Sequence, residues 1–196
     1  MKNFIFLLLA FCQPSASAVD LAGDYELSKA FAVSIHGTMS IHNWVENIEE
    51  VTGDLSASPR SDGGVDIESI RITMIVRSIK SDMGKTMDNK TYKALKADAN
   101  PEIIFRLGPP LTIMPANGKQ KPIGLPGALT LAGVTKPATL WVSNFSLAPY
   151  SMRFEGKQTI TMTDFGVKPP SALFGTLRAG PEITIFFKTV FTIKPK

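Results

Sequence analysis

Two histidines, His36 and His42, and a single cysteine, Cys12, are the only imidazole and thiol ligands in this chain of 196 residues. A structural zinc centre takes about four such ligands, and a thiolate nucleophile needs a base beside it. Neither is available here. The sequence also has no Gly-x-Ser-x-Gly elbow, no His-Glu-x-x-His pair, no phosphate-binding glycine loop and no EF-hand loop. Asp164-Phe165-Gly166 spells a kinase triplet, but none of the other kinase segments accompanies it. The acid–base pairing that remains is His42 as base with Asp164 as its orienter. Catalysis is not expected, and no cofactor or metal is expected either.

What the residue types do suit is recognition by shape and apolar surface. His42 and Trp44 are two apart, so on a strand they share a face. They are either a structural pair at the end of a sheet or a mouth, where the imidazole bonds a headgroup and the indole covers an apolar chain. Met74, Phe105, Leu131, Met162 and Phe187 stand on the apolar parity of separate predicted strands. Plain core and cavity lining are equally good readings of them.

The elements that position these residues are mostly strands. Ile70, Ile72, Met74 and Val76 alternate with Arg71, Thr73, Ile75 and Arg77, a period of two that makes a half-buried strand. After Ser78 the period lengthens: Met83, Met87, Thr91 and Leu95 fall at four-residue steps, predicting an amphipathic helix between Met83 and Ala97. Ser81 or Asp82 is the expected cap. Pro101 ends this segment, and Ile103, Phe105 and Leu107 restore the strand alternation. Met83 and Met87 are read as plugs under the helix or as contacts to an irregular apolar ligand. Lys90, Lys93 and Lys96 trace one helix side, either a solvated face or an approach to anionic lipid.

Further strands are expected around Tyr25 and Leu27, Phe31 to Ile35, Val51 to Leu55, Leu111 to Ile113 and Ile183 to Ile193. Val65 and Ile67 are out of phase with Ile70 to Val76, which places a bulge near Glu68-Ser69. Leu129 to Leu131 and Ala138 to Leu147 flank Gly133 to Pro137, predicting a hairpin with a glycine-containing connection. Met152, Phe154, Ile160 and Met162 are apolar at even positions, against polar residues at odd ones. The glycine- and proline-rich stretch between Phe165 and Pro181 is long for a connection, and ordered loops of that length tend to be functional. Phe174 and Leu177 in it either tuck the loop down or form a lid. Such a set of strands implies an antiparallel sheet that removes its edges by closing.

Three segments, VRSIKSDMGKTMDNKTYKALKADANPEIIFRL, LTLAGVTKPATLWV and MTDFGVKPPSALFGTLRAGPE, together with Gly37 to Trp44, resemble the YceI-like family of polyisoprenoid-binding, lipocalin-like proteins. Within that family the early segment is similar to a Gly-Thr-Ser-x-x-His-Asp-Trp subset, with Met39-Ser40 and Asn43 as departures. The resemblance implies an all-β fold: an antiparallel eight-stranded lipocalin-like barrel with one helical segment between strands, whose interior takes a long apolar chain. The ligand-binding residues it suggests are His42, Trp44, Met74, Phe105, Leu131, Met162, Phe165, Phe174 and Phe187.

Residues 1 to 18 hold Lys2, an apolar run from Phe4 to Phe11 and Ala16-Ser17-Ala18, the pattern of an export signal cleaved after Ala18. Phe11 before Cys12 argues against lipidation, because a lipoprotein signal needs a small residue there. Residues 19 to 196 then form one domain with no cysteine, held together by a packed core. The net charge of +4 is spread along the chain, with 21 basic against 17 acidic residues, so no nucleic-acid face is expected. The resulting expectation is a periplasmic or secreted carrier of an apolar lipid, polyisoprenoid by resemblance, with transient membrane contact through the lysines. The alternative is a ligand-free structural or stress-response protein of the envelope.

Overall fold

The computed structural model describes residues 22–40, 42–115, 121–172 and 177–195. The predicted export signal and Phe174 lie outside the described residues. Among those described, the chain forms thirteen strands and one α-helix.

Strands β1 (Gly23–Leu27) and β2 (Ala32–Met39) run along the same edge of the last strand, β13 (Leu177–Ile193). Strands β3 (Asn43–Ile48) and β4 (Val51–Pro59) turn back beside them. Strand β5 (Val65–Ile75) pairs with β4, and after a 3-10 turn over Val76–Ser78 the short β6 (Ile79–Ser81) pairs with β3. These six pieces are three long strands, each interrupted along its length. Buried Ser78 pins two of the interruptions together: its hydroxyl donates to the Ile75 carbonyl at 2.8 Å and accepts from the Glu50 N–H at 2.9 Å.

The ring continues through β7 (Glu102–Leu107), β9 (Ile123–Leu131), β10 (Val134–Ala148) and β11 (Ser151–Thr161) to β13, which closes on β1 with Tyr25 opposite Ile193. The result is the expected closed, eight-stranded antiparallel barrel. Strand β8 (Leu111–Ile113) adds to the start of β5, and β12 (Ser171–Ala172) to β13.

The predicted bulge is present. Ser56 faces Ser69 and Ala57 faces Ile67, leaving Glu68 without an opposite residue, so Ile67 and Ile70 both turn inward although three apart. The even parity of β11 also holds, with Met152, Phe154 and Ile160 buried. The hairpin differs from expectation. Its connection is the two-residue turn Ala132-Gly133, with φ of 50° and 82°, and Pro137 already lies within β10 opposite Ala128. Two positive φ values are what a tight turn joining twisted strands requires.

The helix α1 (Lys85–Ala94) is shorter than predicted at both ends. Gly84 stands at its start with φ of 83° and no side chain caps it. Neither Ser81 nor Asp82 does so, because the carboxylate of Asp88 instead takes the Ser81 N–H at 2.8 Å and draws the first turn onto β6. Met83 is 51% exposed and plugs nothing. Lys96, with φ of 54°, ends the helical path well before Pro101. Tyr92 holds the helix down, donating to the Arg77 or Ile79 carbonyl at 2.8 Å and accepting from Lys80 Nζ at 2.9 Å. Lys90, Lys93 and Lys96 are all exposed.

The barrel interior has two halves. Where β1 meets β13 it is solid: Tyr25, Leu55, Val65, Ile67, Ile113, Val142, Met152, Phe154 and Phe191 pack together, with the Phe154 ring 5.0 Å from Phe145 and 5.9 Å from Phe191. Ile72, Leu140 and Phe187 touch both halves and mark the boundary. Phe154, 3% exposed, belongs wholly to the solid half. Phe154→Ala should therefore lower the unfolding free energy by about 3–5 kcal/mol, whereas Trp141→Ala, at a side chain 50% exposed, should change it little. Urea denaturation of the two variants checks the contrast.

Candidate functional site

The other half of the barrel encloses a cavity of about 120 Å³. Period-two alternation points Val33 and Ile35 of β2, Trp44 and Ile48 of β3, Ile103 and Phe105 of β7, and Ile183, Ile185 and Phe187 of β13 into it. Helix α1 supplies one side of the wall through Thr91, Ala94 and Leu95. The last two steps of the predicted four-residue stripe thus face inward, as expected, while the first does not.

Six of the residues predicted for ligand contact stand on this wall: Trp44, Met74, Phe105, Leu131, Met162 and Phe187. Phe165 is buried in the same apolar cluster, on a 3-10 turn over Met162–Phe165, but does not reach the cavity. His42 is exposed and lies before β3 begins, where its carbonyl accepts the Met39 N–H at 2.8 Å. His42 does not line the cavity, whereas Trp44, two residues on, does. Asp164 is exposed as well, and among the described residues no hydrogen bond joins it to His42. No group of three or more His, Cys, Asp or Glu side chains converges among the described residues.

Trp44 sits at the rim. Its ring lies against Gly37, where even a Cβ would stand 2.2 Å from Cζ2, and its Nε1 donates to the Thr38 carbonyl at 3.2 Å. It borders both the inner cavity and an outer cleft of about 600 Å³ formed with His36, Thr38, Asn43, Thr184 and Phe186.

Four polar residues also stand on the wall, none of them among the predicted ligand contacts: Glu46, Thr91, Gln158 and Thr189. Glu46 is 3% exposed and accepts the Thr91 hydroxyl at 2.6 Å. Burial pushes its carboxyl above the usual carboxylate range; the Thr91 hydrogen bond opposes this, and Asp88 and Asp82 add to the rise. The signal for Glu46 was its spacing, since it is two residues beyond Trp44 on the same strand face. The wall has no lysine, arginine or histidine among the described residues.

Glu46 also sets a pH dependence. A carboxyl whose folded pKa is raised favours folding fully below its unfolded pKa, and that contribution is lost as pH rises through the folded value. The native state should lose stability from roughly pH 5 upward, with a slope of at most about 1.4 kcal/mol per pH unit from this one group. Glu46→Gln should remove that component, and melting curves of both proteins across this range check it.

Comparison with curated proteins gives no match. Among solved structures the fold is similar to BcnA of Burkholderia cenocepacia, at 19% identity and a TM-score of 0.61, over 84% of this chain and 98% of that one. It is similar also to a domain from Saccharophagus degradans described as polyisoprenoid binding and implicated in plant cell wall breakdown, at 11% identity and a TM-score of 0.63, over 87% and 98%. A third likeness is to the YceI protein of Campylobacter jejuni, at 16% identity and a TM-score of 0.56, over 77% and 85%. A family model for the YceI-like domain matches residues 14–191, nearly the whole of the barrel described above, and the chain belongs to that family.

Proposed function

We propose that this chain binds a long apolar lipid of the polyisoprenoid class inside its barrel, and does so as an exported protein of the cell envelope, without chemical turnover. The cavity is the observation that supports this most. Its wall is built from the inward faces of most of the barrel strands and is apolar almost throughout, in a protein whose other half is packed solid. The Saccharophagus domain of similar fold is described as a polyisoprenoid binder. Export is supported by the Phe4 to Phe11 run followed by Ala16-Ser17-Ala18.

The driving force is desolvation. An isoprenoid tail in water exposes several hundred Å², each worth roughly 25 cal/mol when removed. At about 120 Å³ the cavity is close to the ~150 Å³ engineered void that holds benzene, so a long chain enters only as the wall yields. Met74 and Met162, unbranched and with several rotatable bonds, are suited to that. The exposed Lys90, Lys93 and Lys96 would add about 1 kcal/mol each near an anionic membrane surface, enough for transient delivery.

The small size of the cavity favours a second reading, a ligand-free structural protein of the envelope. Leu131→Trp separates the two. In a carrier, the added bulk takes the place of ligand, so lipid seen by native mass spectrometry in protein from its own host disappears while stability falls by less than about 1 kcal/mol. In a filled core the same change overpacks and destabilises by about 1–3 kcal/mol. That outcome, from a wild type without lipid, rules the carrier out.

A further inference from the structure

The cavity wall is polar at one level in particular. Glu46 of β3 is the cross-strand partner of Ile35 of β2, Ile35 of Ile185 in β13, and Ile185 of Gln158 in β11. All four line the cavity, so they form one row across four adjacent strands with an acid at one end and an amide at the other. The acid is held by Thr91 from the helix. The amide is incompletely satisfied: Gln158 Nε2 donates to the Thr159 carbonyl at 2.8 Å, but its buried Oε1 has no donor within reach among the described residues. An acceptor buried without a donor is costly, and a ligand bearing a donor at this level removes that cost.

Among the described residues no positive charge on the wall balances Glu46. Ionised, its carboxylate repels a second anion in a low-dielectric site; neutral, it offers one O–H donor, far short of what a buried phosphate needs. Either state accommodates a hydroxyl, which both donates and accepts. We infer that the row from Glu46 to Gln158 is a headgroup subsite that selects an uncharged, hydroxyl-bearing isoprenoid and rejects a phosphorylated one. This rests on the reading of the cavity as an isoprenoid site.

The test uses the full chain stripped of lipid and three probes of equal chain length: geranylgeraniol, geranylgeranyl diphosphate and the headless hydrocarbon phytane, titrated against tryptophan fluorescence. The alcohol should bind at least about tenfold more tightly than either of the others, the scale of one or two well-made hydrogen bonds. Gln158→Leu should lower the affinity for the alcohol about tenfold and leave phytane unchanged or tighter. Glu46→Leu with Gln158→Leu should erase the preference, provided a melting curve shows the double variant folded; the single variant carries the test if it is not. Diphosphate binding as tight as the alcohol, or undiminished alcohol binding by Gln158→Leu, overturns the inference. Equal binding of alcohol and phytane overturns the subsite while leaving the lipid site standing, and binding of none of the three removes both.

Discussion

The seventeen-residue strand β13 is the hydrogen-bonded element on which the closed shape depends. One edge pairs with β11 from Thr161 opposite Glu182 to Ser151 opposite Thr192, and the other edge pairs with β2 and then β1. An open sheet of this size would leave two rows of unpaired backbone groups, and closure removes both. Because β13 runs from one end of the barrel to the other, its inward side chains belong to both halves. Ile183, Ile185 and Phe187 face the cavity, and Phe191 stands in the solid cluster. The same ladder therefore fixes the outline of the barrel and the level at which the interior changes from filled to open.

The two halves are packed by different means. The solid half is filled by aromatic and branched residues, with the added β8 bringing Ile113 into it. In the open half the strands are interrupted and α1 stands in for part of the wall. The helix is tied to its surroundings by polar contacts: Tyr92 to β6, Asp88 to the Ser81 N–H, and Thr91 to Glu46. Apolar packing alone would hold it less specifically, and a carboxyl buried against it is costly enough to require those partners.

Much of this was legible in the sequence because a strand advertises its inner face every second residue. That rule alone placed Met74, Phe105, Leu131, Met162 and Phe187 on the inner wall, and the phase slip between Ile67 and Ile70 located the Glu68 bulge. It failed where the chain stops being a strand. His42 is two residues from Trp44 but lies just before β3 begins, exposed and off the cavity wall, and parity does not report how far along the chain the wall extends. The hairpin turn was misplaced because Ala132 adopts positive φ, which alanine does not signal. Strand β6 is three residues long, too short to show a period. Glu46 was overlooked for another reason: it is on the inward parity, but a charged residue there does not look like wall until the strand is seen to continue past Trp44. The docking of α1 on β6 depends on Asp88 reaching backward to Ser81, a contact between elements that local spacing does not reveal.

The solid packing around Tyr25, Phe154 and Phe191 makes the cavity a cul-de-sac. On the proposed reading, a guest held there would not be pushed through by the next one and would leave by the end at which it entered. Exchange in such a container is governed by the departure of the occupant and is insensitive to the concentration of the newcomer. A through-tunnel of the same width would behave in the opposite way, with incoming molecules driving the resident out. If the barrel carries lipid as proposed, the filled half would make it retentive, independently of how tightly its wall grips.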